Sequence, residues 1–150
     1  MSDLRDLYQE VILDHNKRPH NFGPLADATA TADGHNPLCG DRLRLYLRLE
    51  GDRIADVSFE GSGCAISKAS ASLMTDAVKG KSIAEAGHLF DQVRTMLTSA
   101  TEVSIDDDDL GSLAVLSGVR EFPMRVKCAS LAWHTLKSAL AGAHEVAKTE

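Results

Sequence analysis

The chain has 150 residues, 43% of them hydrophobic, and a net charge of −6. That suits a single domain over residues 1–150 with its own core, and the acidic balance disfavours generic nucleic-acid or anionic-membrane binding. No apolar run nears the roughly 20 residues that cross a bilayer, and "MSDLRDLYQEV" lacks the regions of a secretion signal. The reading is a cytoplasmic protein with no nucleic-acid and no membrane partner.

Residues 3 to 17 read as a helix, with Leu4, Leu7, Tyr8, Val11 and Ile12 on one stripe. "KRPHNFGPL" breaks it with two prolines and a glycine. Residues 18 to 41 read as mostly irregular, with a short strand near Ala28 to Ala32. In "RLRLYLRLEG", Leu43, Leu45, Leu47 and Leu49 alternate with Arg42, Arg44, Tyr46 and Arg48, which predicts a half-buried strand with a wet, basic face. Glu50-Gly51-Asp52 turns the chain, and "RIADVSFEG" returns it with Ala55, Val57 and Phe59 inward.

The period then changes. Ile66, Ala69, Leu73 and Ala77 predict a helix that starts beside Cys64. Ser82 and Glu85 form a capping-box pattern before a helix marked by Ile83, Ala86, Phe90, Val93 and Leu97. "SIDDDD" reads as a loop, or as the acidic first turn of a short helix through Leu110, Leu113 and Leu116. The last helix carries a stripe at Ala129, Trp133, Leu136, Leu140, Ala143 and Ala147. Helix, strands, then helices predict an α+β fold: a three-stranded antiparallel sheet packed by helices.

Three cysteines in a reducing compartment argue against a disulfide framework. Each stands at a junction: Cys39 in "NPLCGD" before the long strand, Cys64 at a helix start, and Cys128 near the start of the last helix. A helix N-terminus stabilises a thiolate, and Gly40, Gly61 and Gly63 admit close backbone approach. A lone cysteine is more often simply buried; three at such junctions favour one shared site. A tetrahedral ion needs a fourth ligand. Asp41 is the best candidate, because residues two apart in an extended segment point the same way. The rivals are histidines 15, 20, 35, 88, 134 and 144, of which His35 is nearest to Cys39 in sequence and His134 and His144 suit the wet face of the last helix.

"LYQEVILDHNKRPHNFG", "NPLCGD", "GSGCAISKASASLMT" and "FPMRVKCASLAW" together resemble the motifs of the IscU/NifU-N family of iron–sulfur cluster assembly proteins. The resemblance spans nearly the whole chain. Scaffold members carry a histidine immediately before the third cysteine; here Lys127 stands there, and the segment between the second and third cysteines is longer. Both departures resemble the SufU branch. The resemblance implies a Zn2+ ion held by Cys39, Asp41, Cys64 and Cys128. It implies sulfurtransferase chemistry, with Cys39 accepting persulfide sulfur from a SufS-type cysteine desulfurase after a histidine of that enzyme takes over a coordination position, and with downstream Fe–S assembly proteins as further partners. Arg125 is read either as a support for anionic sulfur or as a solvated cation before the helix. Tyr8, Asn21 and Phe22 are candidates for partner docking. The competing reading is a scaffold on which the same cysteines hold a transient [2Fe–2S] cluster, since thiolates suit both.

Overall fold

The structure is a computed structural model. It describes residues 2–36, 40–98, 116, 123–141 and 147–148, with side chains over 9–36, 40–97, 116 and 126–140. The elements are α1 (Ser2–Lys17), β1 (Ala30–Asn36), β2 (Asp41–Glu50), β3 (Arg53–Ser62), α2 (Ala65–Val78), α3 (Ile83–Thr98), α4 (Pro123–Ala141) and β4 (Ala147–Lys148). The sheet order is β3-β2-β1-β4. The three long strands are antiparallel, as the alternation predicts, and the two-residue β4 adds to β1 in parallel.

Period-2 alternation builds β2. Leu43, Leu45 and Leu47 are buried, while Arg44 faces out and pairs with Asp33 at 2.8 Å. Each leucine so buried stabilises the fold by about 1.5–3 kcal/mol relative to exposure. Gly51-Asp52 forms a two-residue hairpin loop, with Gly51 at φ +63°. Helices α2 and α4 pack on the apolar face and on each other; α1 packs on α2, and α3 on α4.

Four details differ from the sequence reading. The first strand begins at Ala30, and runs on to Asn36 because it pairs with the whole first half of β2. A register shift at Arg48/Leu49 lets β3 slip by one residue, so Ile54 is fully buried and Ala55 is not; a bulge reverses which side chains face the core. Helix α2 is buried nearly all round, Ser67, Ser70, Ser72 and Thr75 included, because it is wedged between α1, α4 and β3. The last helix ends at Ala141, and Ala147 lies in β4, paired with Gly34.

The capping box is formed as expected: Glu85 N–H donates to Ser82 Oγ, and Ser82 N–H to Glu85 Oε1, both at 3.0 Å. The backbone bond from Ser82 holds the Glu85 carboxyl below its usual range. The Asp106–Asp109 run and the side chains of Leu4, Leu7 and Tyr8 lie outside the described residues, as does His144; Leu116 is fully buried.

Candidate metal centre

Three elements bring the site together. The alternation that buries Leu43 also turns Asp41, two residues earlier on the same face, inward. Its carboxylate is completely buried. Across the ladder Asn36 pairs with Asp41 and is completely buried too. Cys64 caps α2 in extended conformation, and its Sγ accepts from Ser67 N–H at 3.4 Å. That sulfur therefore lies at the positive end of α2, where negative charge is favoured. Cys128 comes from the second turn of α4, is 3% exposed, and receives the Asn36 side-chain amide at 3.6 Å.

The ligand atoms of Asp41, Cys64 and Cys128 all lie within 4.8 Å of one another. Cys64 N–H donates to Asp41 Oδ1 at 2.8 Å, and its thiol lies 3.7 Å from Oδ2. Gly63 makes this approach possible: at φ +141° a Cβ would stand 2.2 Å from Asp41 Oδ1. At Gly61 a Cβ would stand 2.5 Å from the Arg42 carbonyl, so β3 passes β2 closely just before the cap. Asp41 and Cys128 are buried and Cys64 is half-buried, so the cluster is reached from the Cys64 side.

The donor set fits a divalent cation. A buried carboxylate requires a counter-charge or a metal, and among the described residues no cationic side chain pairs with Asp41. Two thiols and a carboxylate are ligands that zinc accepts. Cys39 and the Arg125 side chain lie outside the described residues. The chain re-enters at Gly40, whose N–H donates to the Asn36 carbonyl at 2.8 Å and whose φ is +73°.

Of the rival histidines, His35 lies on the opposite face of β1 from Asn36 and so points away from this centre. His134 is half-buried against Phe90 rather than on a wet face, and burial pushes its pKa down. His15 and His20 lie instead against Ser72 and Asp76 of α2. Asn36 escaped the sequence reading. Its signal was there, in the "N" that opens "NPLCGD", but only the extended first strand turns it inward.

Comparison with known proteins gives the family and the fold. The family model for the NifU-like N terminal domain matches residues 7–141. The chain is 45% identical over 140 residues to the zinc-dependent sulfurtransferase SufU of Bacillus subtilis, covering 93% of each chain. It is 44% identical over 140 residues to the iron–sulfur cluster assembly scaffold protein IscU of Streptococcus pyogenes, covering 93% of this chain and 86% of the relative. Among solved structures, a candidate assembly scaffold for the SUF system from Fervidobacterium islandicum superimposes with a TM-score of 0.78 at 37% identity, over 91% of this chain and 98% of the other. Matched by the family model over residues 7–141 and 45% identical to a SufU over 93% of its length, the chain belongs to the IscU/NifU-N family of iron–sulfur cluster assembly, as a SufU-type member.

Proposed function

We propose that this protein is a zinc-dependent sulfur acceptor, which takes persulfide sulfur from a SufS-type cysteine desulfurase on Cys39 and yields it to downstream Fe–S assembly proteins in the cytoplasm. The observation that carries the reading is the convergence of Cys64, Cys128 and a fully buried Asp41 without a cationic partner among the described residues. Cys39 stands two residues from Asp41, so chain length alone keeps it near that carboxylate. Zinc would be held by Cys39, Asp41, Cys64 and Cys128; when bound, it keeps thiols ionised at neutral pH without redox chemistry of its own.

This chain's own residues then do the work. The positive end of α2 and the Ser67 N–H hold Cys64 as an anchor. Asn36 fixes Cys128, and Cys39 is the ligand proposed to depart. The Cys39 thiolate attacks the terminal sulfur of the desulfurase persulfide. One S–S bond forms on Cys39, the partner's S–S bond breaks, and the partner cysteine leaves as a thiolate, with no net oxidation. Arg125, one turn before Cys128 in α4, supports the anionic sulfur.

A second reading, a scaffold for a [2Fe–2S] cluster, has the IscU relatives in its favour. Protein purified without oxygen separates the two. Near-stoichiometric zinc without acid-labile sulfide is expected; stoichiometric iron and sulfide in a brown protein would establish the scaffold. Cys39→Ala should then abolish stimulation of the desulfurase while the fold is kept. Undiminished stimulation would instead mean a zinc protein that activates its partner without carrying sulfur.

A further inference from the structure

A second cluster of metal-ligating side chains lies away from the cysteines. His15, His20 and Asp76 place ligand atoms within 4.8 Å of one another. We propose that these three residues form a second site for a borderline divalent transition cation, one that fastens the end of α1 to the end of α2.

The electrostatics favour a cation there. His15 is in the last turn of α1, and Asp76 is in the last turn of α2. The site thus faces the negative ends of two helix dipoles. Asp76 adds a carboxylate where a helix end disfavours one, and Asp14 adds another charge within reach of His15. Two imidazoles and a carboxylate, with one position left to water, are a common ligand set for zinc and its neighbours.

The ligands are also positioned. Ser72, completely buried, hydrogen-bonds His15 Nδ1 at 2.7 Å and accepts the His20 backbone N–H at 2.7 Å. Asn21, at φ +54°, turns the chain back onto α2 and donates its amide to Asp76 Oδ1 at 3.0 Å, leaving Oδ2 toward His20. Such partners orient ligands in metal sites. His15 is buried, while His20 and Asp76 are about half exposed, so an ion has a way in. The two rings lie 4.3 Å apart. His20 Nδ1 and Asp76 Oδ2 are 2.5 Å apart. Tetrahedral ligands sit roughly 3.4 Å apart, so a small rotation of these two exposed side chains admits the ion.

The test uses zinc-loaded protein titrated with Co2+ at neutral pH, followed by metal counting, visible absorption and melting. The expected result is one Co2+ per chain beyond the zinc, with d–d absorption but no sulfur-to-cobalt charge transfer, and a raised melting temperature. His20→Ala and Asp76→Asn should each weaken Co2+ binding by at least about tenfold while keeping zinc and helical circular dichroism. His88→Ala, at an exposed histidine of α3, should change nothing. Failure to take up Co2+, or equal uptake by wild type and both variants, would overturn the proposal and leave a His20–Asp76 ion pair only. Should the cysteines lack zinc, Co2+ would announce itself there by thiolate charge transfer in every variant, so the two sites fail separately.

Discussion

At the scale of single residues, the centre depends on atoms that are missing as much as on those present. Gly63 has no Cβ, and any Cβ would overlap the Asp41 carboxylate at 2.2 Å in a left-handed backbone conformation. Gly63→Ala is therefore expected to destabilise the protein by at least about 2 kcal/mol and to weaken zinc retention; urea unfolding and zinc content after dialysis check both. Asn36 makes a subtler prediction. It is isosteric with leucine only in part, and its amide faces Cys128 Sγ. Asn36→Leu should leave the strand paired but loosen zinc by about 10–100-fold, the usual effect of removing a group that orients a ligand, read by competition with a chromophoric chelator. Cys39, Cys64 and Cys128 were legible as a group because each stands at a junction beside backbone breaks. The distance between Cys64 and Cys128 was not, since 64 residues separate them in the chain.

At the scale of elements, local rules and tertiary packing divide the labour. The capping box before α3 is entirely local: four consecutive residues satisfy two backbone N–H groups of the first turn. Ser82→Ala should cost about 1 kcal/mol, a fall of about 2–4 °C in melting temperature for a chain of this size, with no change in zinc. The leucine alternation of β2 is local too, and the structure extends it back to Asp41, which shares the buried face of Leu43. The bulge opposite Arg48/Leu49 was not legible. It arises from how β3 meets β2 and the Lys79–Ser82 segment, where Ile54 exchanges backbone hydrogen bonds with Gly80 and Lys81. Helix α2 likewise looked amphipathic, because serine and alanine score as weakly polar or small. Packed on three sides, small residues serve all of them: a Ser70 hydroxyl donates to the Ala129 carbonyl and lets α2 and α4 approach closely.

At the scale of the whole molecule, burial sets the response to pH. His134 lies between α3 and α4, facing Lys137 on its own helix and Arg94 and Phe90 on α3. Burial first, then these two cations, lower its pKa from the ordinary 6.5. Below that value the unfolded chain takes up a proton that the folded chain resists. Stability from this residue is therefore complete above about pH 6.5 and is lost as the pH falls from there through the folded value. Melting scans between about pH 7.5 and about pH 5 should show this slope, and His134→Gln should flatten it relative to wild type. Zinc loss on acidification affects both proteins alike, so the difference isolates the histidine.

What the sequence determined by itself is everything carried by short-range pattern. The periods of the helices and of β2, the hairpin turn and the capping box follow from local geometry, and the family follows from motifs only a few residues long. What only the tertiary structure decided depends on distances between remote parts of the chain. The β3 register, the inward turn of Asn36, the meeting of Asp41, Cys64 and Cys128, and the gathering of His15, His20 and Asp76 all belong to that class. Such contacts form where elements close on one another, and no residue's own sequence neighbourhood specifies which distant partner will fill the space across from it.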